Sequence, residues 1–379
     1  MHVMAIDFML IGSGHILIPV IALYVSARGG SESLGGMVAS LFMFASIVLR
    51  PAAGLAVDVA GGKRVLVLSI GVIALAGAVL PIELALPGLI AVRLIQGFGW
   101  ACYFPASTTL MSELIPASRR GEGIGYVSMV RNIGVAIGSV AGLFLVERGH
   151  FDLAFAAAAL VTFGAWIIAW RLRWTPDRPP GALSWSVRGL VEPGAINPSV
   201  VSAAMTFVMG GMMTFVPLDA QARDIGSAAA FFLVFTLVLM IMRPLSGRLS
   251  DRLHSRGVLI IPGLVLTVLS ALTLAFTEHP WTLWLAAFFW GAGFGTAQPV
   301  LRAMVLDRTP RHRWGAANAT SMVLYDLGFA LGPLVLGVVA SRTGMAAMFG
   351  LASLVPLLAI VLVLRTGLHH EPSGGTTGS

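Results

Sequence analysis

The sequence is poor in charge, in cysteine and in the patterns that mark catalytic sites. Only 11% of the 379 residues are Asp, Glu, Lys or Arg, whereas a soluble domain carries about 25%. The single cysteine, Cys102, excludes an internal disulfide framework. The sequence contains no nucleotide-binding loop, no metal-spaced cluster and no nucleophile elbow. These absences argue against an enzyme, and we expect no cofactor and no metal.

Apolar residues dominate what is present. They make up 57% of the chain, and the mean hydropathy is +0.89. One water-soluble core could not bury so many apolar side chains, so lipid must solvate much of the surface. The sequence therefore predicts an all-α membrane protein with twelve transmembrane helices. The predicted spans cover residues 4–25, 34–57, 65–82, 88–110, 123–146, 152–171, 197–218, 227–249, 258–277, 281–306, 316–340 and 345–364.

The net charge of +7 could indicate a nucleic-acid partner, but the placement of the basic residues favours a membrane protein. With the N-terminus in the cytoplasm, fifteen Lys and Arg residues lie in cytoplasmic segments and four lie in outer loops. This imbalance sets the orientation by the positive-inside rule. We therefore expect a multi-pass protein of a plasma membrane of the bacterial inner-membrane type. Both termini are expected in the cytoplasm, with the lipid bilayer as a partner and no nucleic acid.

The two halves of the chain repeat one pattern, displaced by 193 positions. A second set, displaced by 194 positions, includes Gly134 and Gly138, which recur as Gly328 and Gly332. A repeat of half the chain predicts two structurally equivalent bundles. The residues of the first set are Arg50, Pro51, Gly54, Asp58, Lys63 and Val65, which recur as Arg243, Pro244, Gly247, Asp251, Arg256 and Val258.

A polar stretch rich in proline and glycine separates six predicted spans from six others. Such a stretch cannot cross a membrane as a helix. We expect a first six-helix bundle over 1–173, a cytoplasmic linker over 174–196, a second bundle over 197–367 and a disordered tail over 368–379.

Three motifs resemble those of the major facilitator superfamily. The loop after the second span resembles the Gly-x-x-x-Asp-x-x-Gly-x-(Lys/Arg)-(Lys/Arg) loop of that family. Arg93, Gln96, Gly97 and Gly99 match its fourth-helix motif, and Gly134, Gly138 and Gly142 resemble the fifth-helix motif of its drug–proton antiporters. Val59 and Ser139 depart from the usual loop and fifth-helix patterns. The resemblance implies a twelve-helix secondary transporter.

The resemblance also implies a conformational latch at the cytoplasmic face. In that family the loop carboxylate joins the two halves when the protein is open to the outside. Such a carboxylate can accept hydrogen bonds from a helix N-terminus and pair with a cation; a solvated loop carboxylate is the simpler alternative. The candidate latch residues are Gly54, Asp58, Gly61, Lys63, Arg64, Gly247, Asp251 and Arg252.

Four residues within the spans are candidates for proton coupling: Asp326, His15, Arg93 and Asp7. Asp326 leads, because a carboxyl group in hydrocarbon favours its neutral form. His15 lies near the middle of the first span, where it could carry a proton or only satisfy a carbonyl. Arg93 is implied by the fourth-helix motif, and Asp7 lies one turn into the first span.

The other arginines within spans need partners, because a charge in hydrocarbon is costly. Arg50 and Arg243 are repeat-equivalent, so we expect them to brace each half through carbonyls or acids such as Glu113 and Asp307. Arg302 lies near a helix end and can extend to the interface. Arg131 has no basic counterpart in the repeat and is expected to face Asp326 across the halves.

In the resembled family, helices 1, 4, 7 and 10 line the cavity. In this chain they carry aromatic and methionine side chains, which form an adaptable apolar wall; core packing is the simpler interpretation of any single methionine. The candidate substrate-cavity residues are Arg131, Trp100, Tyr103, Met205, Met209, Met212, Trp290 and Gln298.

We therefore predict a monomeric, proton-coupled exporter of small amphipathic organic compounds, with protons and a small-molecule substrate as partners. The excess of arginine within spans supports an alternative, a carrier for an organic anion or small metabolite. A non-transporting sensor with this fold is a third hypothesis, which the loop motif in both halves disfavours.

Overall fold

The structure is a computed structural model that describes residues 2–82, 84–114, 120–172, 192–252, 255–310 and 314–368. These residues form helices and short connections, with no β-strand among them. The α-helices are α1 (His2–Ala27), α2 (Glu32–Ala60), α3 (Gly62–Gly77), α4 (Leu86–Leu114), α5 (Arg120–Val146), α6 (Phe151–Arg171), α7 (Pro193–Arg223), α8 (Ala228–Arg252), α9 (Ile260–Ala275), α10 (Pro280–Asp307), α11 (Trp314–Thr343), α12 (Met345–Ala352) and α13 (Leu354–Thr366).

Twelve spans account for these helices, as the sequence predicts. Helices α12 and α13 are separated only at Ser353 and together form one span over Met345–Thr366. Among the described residues, ten segments are long and apolar enough to cross a membrane by length and composition alone. Helix α3 is not among the ten because it has 16 residues, and its end at Gly77 falls short of the predicted end at 82. Helix α10 is not among the ten either. It has 28 residues, but glycines and Gln298 interrupt its apolar sequence.

Local chemistry sets several helix ends. Gly61 separates α2 from α3 with φ +86°, a left-handed conformation that an L side chain rarely adopts. Pro193 begins α7, where its missing N–H costs no hydrogen bond. The Glu192 side chain caps this helix by accepting from the Gly194 backbone N–H at 3.4 Å.

The chain divides into two compact units. The first comprises Met1–Gly30 and Met37–Ser184, and the second comprises Ser31–Gly36 and Trp185–Ser379. Equivalent helices pack together within each unit. In the first, α1 packs against α5 and α6, and α3 packs against α4; in the second, α7 packs against α11 and α13, and α9 packs against α10. The sequence repeat is therefore also a repeat of packing.

Glycines allow the closest of these contacts. A Cβ on Gly138 of α5 would lie 2.1 Å from the Gly12 carbonyl oxygen, and one on Gly332 of α11 would lie 2.1 Å from that of Phe207. Gly134 and Gly328 repeat this approach one turn earlier. Gly247 of α8 makes no such close contact, because a Cβ there would meet no described atom within 4 Å.

A guanidinium also braces the end of the first helix in each unit. Arg223, at the end of α7, donates from Nε and Nη2 to the two carboxylate oxygens of Asp219. Its Nη1 donates to the Thr277 carbonyl oxygen at 2.7 Å. Arg28, after α1, donates from Nη1 to the Leu84 carbonyl oxygen at 3.4 Å. Both arginines thus tie a helix end to the connection before the fourth helix of the unit.

Candidate functional site

A carboxylate with four directed donors lies inside the first unit. Asp7 of α1 has no solvent-exposed surface. Its Oδ1 accepts from the Tyr103 hydroxyl and from the Ser107 hydroxyl, each at 2.5 Å. Its Oδ2 lies 2.7 Å from both Nε and Nη2 of Arg131 on α5. Four donors around two oxygens match an ionised carboxylate, which only accepts hydrogen bonds. We call these four residues the Asp7 cluster.

Secondary structure explains how the Asp7 cluster assembles. Tyr103 and Ser107 are four residues apart on α4 and therefore share one face of that helix. The close glycine contacts between α1 and α5 bring Arg131 to the same place. Arg131 also lies over the Phe104 ring, 4.7 Å from its centre, and its side chain keeps 18% of its surface exposed. The sequence assigned Asp7 to proton coupling and Tyr103 and Arg131 to the substrate cavity, whereas the fold places all three in one network.

Two residues of the site, Ser107 and Phe104, were not predicted from the sequence. Ser107 lies one helical turn from the predicted Tyr103, and this four-residue spacing could have identified it. Arg131 was expected to face Asp326, but its carboxylate partner is Asp7. The sequence repeat relates residues of one half to residues of the other. It could not reveal this pairing, because Asp7 and Arg131 both lie in the first half, 124 positions apart.

Arg93 and His15 lie apart from the Asp7 cluster. Arg93 is 2% exposed, donates from Nη1 to Gln96 Oε1 at 3.1 Å and lies 4.6 Å from the centre of the Phe42 ring. His15 Nδ1 lies 2.9 Å from the Ile11 carbonyl oxygen, so this nitrogen carries the proton and donates it. The hydrogen bond of His15 is thus local to its own helix.

A second group of polar residues lies inside the second unit. Tyr325 of α11 lies within electrostatic reach of Arg243, Arg302 and Asp326. The Arg302 guanidinium lies 5.7 Å from the centre of the Tyr325 ring, and its side chain is exposed. We call these four residues the Tyr325 cluster. It combines two cations with one carboxylate, and Arg243 carries a buried Nε that meets no acceptor in the described part of the chain.

The remaining predicted cavity residues are buried. Trp290 of α10 is fully buried and stacks on Phe235, with ring centres 3.9 Å apart. Gln298 accepts from the Ser202 hydroxyl at 3.0 Å. Trp100 is 9% exposed and tilts against Tyr103 at 5.3 Å. Met205, Met209 and Met212 of α7 are buried as well.

The latch residues are only partly described. Gly61, Lys63 and Arg64 lie at the α2–α3 turn and the start of α3. The side chains of Asp58, Asp251 and Arg252 lie outside the described residues, as does the environment of Gly54. No group of three or more potential metal ligands occurs in the part of the chain that the structure describes.

The comparisons with known proteins agree with this architecture. A family model described as Major Facilitator Superfamily matches residues 3–296 and 199–378. The chain is 25% identical to "Multidrug resistance protein MdtG" of Dickeya zeae (strain Ech586), over 88% of this chain and 86% of the relative. It is 27% identical to "Uncharacterized MFS-type transporter YhhS" of Shigella flexneri, over 91% and 85% of the two chains.

A solved structure shares the fold. It is the crystal structure of a POT family transporter in complex with 5-aminolevulinic acid, with a TM-score of 0.82 and 13% identity, covering 96% of this chain and 95% of the other. At that identity the likeness concerns the fold alone. Together with the family match, the repeated glycine contacts and the twelve spans, it leads to one conclusion: the chain belongs to the Major Facilitator Superfamily of membrane transporters.

Proposed function

We propose that this transporter exports small amphipathic organic compounds in exchange for protons. The observation that carries the proposal is the Asp7 cluster, in which a fully buried carboxylate in a membrane span holds a partly exposed guanidinium. Ionisable groups at such depth are costly and are characteristic of proton and substrate pathways. The relatives named for multidrug resistance support export as the direction.

The Asp7 cluster provides a mechanism for coupling. While Arg131 is in place, both oxygens of Asp7 are occupied by donors and the carboxylate charge is balanced. Movement of Arg131 towards a substrate or its own exposed side would remove two donors from Oδ2. Binding a proton would then relieve an uncompensated buried charge. Return of Arg131 would displace that proton, so protonation and conformation would be linked.

The substrate class follows from the side chains of α4 and α7. Met205, Met209 and Met212 are polarizable and adapt to different shapes, and Trp100 and Tyr103 add aromatic surface. Each of these two helices, taken by itself, carries few fixed polar groups among these side chains, which suits amphipathic compounds better than sugars.

A proteoliposome assay tests the coupling. Purified protein is reconstituted with an imposed proton gradient, and uphill movement of ethidium, an amphipathic cation, is measured. We expect Asp7→Asn to abolish uphill movement while ethidium binding and gradient-free exchange remain. The matched control is Asp152→Asn, which removes an exposed carboxylate at the start of α6 and should change nothing.

The same assay separates the two candidate carboxyls. Asp326→Asn is measured beside Asp7→Asn, because the sequence favoured Asp326 and because Asp326 belongs to the Tyr325 cluster together with two arginines. Uphill ethidium movement that survives in Asp7→Asn but is lost in Asp326→Asn would move the coupling site to the second unit. Survival in both variants would contradict proton coupling through either carboxyl.

The Tyr325 cluster favours a second candidate function, a carrier for an organic anion. Its exposed Arg302 and partly buried Arg243 provide two cationic groups within reach of one aromatic ring. Carboxyfluorescein, an organic anion, replaces ethidium in the same vesicles. Uptake of carboxyfluorescein that is lost in Arg302→Gln, with ethidium not transported, would favour this function.

The remaining features complete the proposal. We propose transport without covalent catalysis, by a monomer in a bacterial inner membrane with both termini in the cytoplasm. The observation that supports this orientation is the fifteen-to-four distribution of basic residues.

We also propose that the loops around Asp58 and Asp251 form the cytoplasmic latch. Asp58→Asn and Asp251→Asn should then slow ethidium flux without lowering expression, and normal flux in the double variant would contradict the latch.

A further inference from the structure

A small cavity inside the first unit is lined by a buried arginine, Arg93, and by no carboxylate. The cavity has a volume of about 20 Å³ and is lined by residues of α1, α2, α3, α4 and α6. One water requires about 10–15 Å³, so the space fits a single particle the size of a water molecule or a small ion. Its polar lining residues are Arg93, Gln96, Ser13, Thr162 and Trp100, and none of the lining residues carries a carboxylate.

The guanidinium of Arg93 is only partly satisfied. It is 2% exposed, and its one hydrogen bond goes from Nη1 to Gln96 Oε1. Its Nε and Nη2 are buried and meet no acceptor among the described residues. A buried charge is normally paired and hydrogen-bonded, because removing it from water without compensation is costly. The Phe42 ring covers one face of the guanidinium and leaves these edge N–H groups unmatched.

The free donors at this cavity belong to Arg93 and Gln96. Besides the unmatched Nε and Nη2 of Arg93, the amide nitrogen of Gln96 remains to donate, since its Oε1 accepts from Arg93. The hydroxyls of Ser13 and Thr162 use their hydrogens within the protein, because Ser13 donates to the Leu10 carbonyl oxygen and Thr162 lies within hydrogen-bond distance of Ser13 Oγ and the Ala158 carbonyl oxygen. A particle that accepts several hydrogen bonds and carries negative charge complements the N–H groups of Arg93 and Gln96 better than water does.

We propose that this cavity binds a monovalent anion of halide size, with chloride as the physiological occupant, through Arg93 and Gln96. The anion neutralises Arg93 inside the bundle and thereby stabilises the packing of α4 against α2 and α3. The site is distinct from the Asp7 cluster, because Arg93 and Tyr103 are ten residues apart on α4, which is about 15 Å along a helix.

Thermal unfolding of the purified full chain in neutral detergent tests the site. Sodium bromide replaces sodium gluconate stepwise at constant ionic strength, and the unfolding midpoint is followed. We expect a saturable rise of ~2–4 °C in the parent protein, as expected for a ligand that binds only the folded state. Chloride should act in the same way.

Two variants identify the residues. Arg93→Gln removes the cation and should lose the bromide response. Gln96→Glu places a carboxylate beside Arg93, so the protein supplies its own counter-charge; this variant should be stable in gluconate and unresponsive to bromide. Arg148→Gln is the control, because Arg148 is an exposed arginine over Phe144 and its loss should leave the response intact.

The decisive outcomes are independent of whether Arg93→Gln folds. Bromide anomalous scattering from crystals of the parent should give a peak beside Arg93 that is absent in Gln96→Glu. A bromide response of equal size in Gln96→Glu and the parent would overturn the proposal. A parent with no saturable bromide response and no anomalous peak would show that the cavity holds water.

Discussion

The Cα of Gly138 lies so close to the carbonyl oxygen of Gly12 that a methyl group on it would stand 2.1 Å from that oxygen. Gly332 has the same relation to Phe207 in the second unit. A Cβ at either glycine requires α5 or α11 to move away from its partner helix. The two contacts are therefore structural equivalents, and the glycine repeat in the sequence marks the closest helix packing in each unit.

Gly138→Ala and Gly332→Ala should both destabilise the protein. Overpacking of this kind typically costs ~1–3 kcal/mol, because the neighbouring carbonyl belongs to the backbone and cannot rotate away. Thermal unfolding in detergent measures the effect. Gly350→Ala is the control, since a Cβ there would meet only Ala275 Cβ at 3.9 Å. Equal stability of Gly138→Ala and Gly350→Ala would show that α1 and α5 are not held this closely.

Tyr103→Phe should weaken the Asp7 cluster. The substitution keeps the ring and removes one of the two donors to Asp7 Oδ1. Hydrogen bonds to charged groups contribute ~1.5–3 kcal/mol, so we expect a loss of that order in unfolding free energy and slower proton-driven ethidium flux. Tyr24→Phe is the matched control, because the Tyr24 ring packs on the edges of Phe151 and Phe155 through apolar contact. Flux in Tyr103→Phe that matches the parent would argue that this hydroxyl has no part in coupling.

Arg223→Gln should destabilise the second unit more than Arg28→Gln destabilises the first. Arg223 makes a two-pronged ion pair with Asp219 and donates to the Thr277 carbonyl oxygen at 2.7 Å. The carbonyl hydrogen bond of Arg28, to Leu84, is longer at 3.4 Å. We expect ~1–3 kcal/mol for Arg223→Gln. Unfolding midpoints of the two variants, measured side by side, check the order, and a larger loss in Arg28→Gln would reverse it.

Trp290→Ala should act on stability and leave substrate choice unchanged. Trp290 is fully buried and stacks on Phe235 within the second unit, although the sequence suggested a cavity role. Truncating a buried tryptophan to alanine costs ~3–5 kcal/mol. Trp170→Ala removes a side chain that is 72% exposed and is the control. If Trp290→Phe keeps the unfolding midpoint near that of the parent but changes the ratio of ethidium to carboxyfluorescein transport, the cavity role would be favoured.

The sequence by itself determined the class, the span number and the repeat. Hydrophobic segments of bilayer length must be helical, because lipid offers no hydrogen bonds to the backbone. Gly61 at the α2–α3 turn and the glycines of α5 and α11 were recognisable because few other residues tolerate a positive φ or so close an approach. These properties depend on a residue and its near neighbours along the chain.

Only the tertiary structure decided which polar residues meet. Asp7 joins Tyr103 and Arg131 across 96 and 124 positions, and no local pattern records such a pairing. The sequence also could not separate two tryptophans that it predicted for the cavity. In the structure Trp100 lines a small cavity with Arg93, while Trp290 stacks on Phe235 inside the second unit. A charge that is buried in hydrocarbon requires a partner of opposite charge. Helix packing selects that partner, because it brings residues that are distant in sequence within 3 Å of each other.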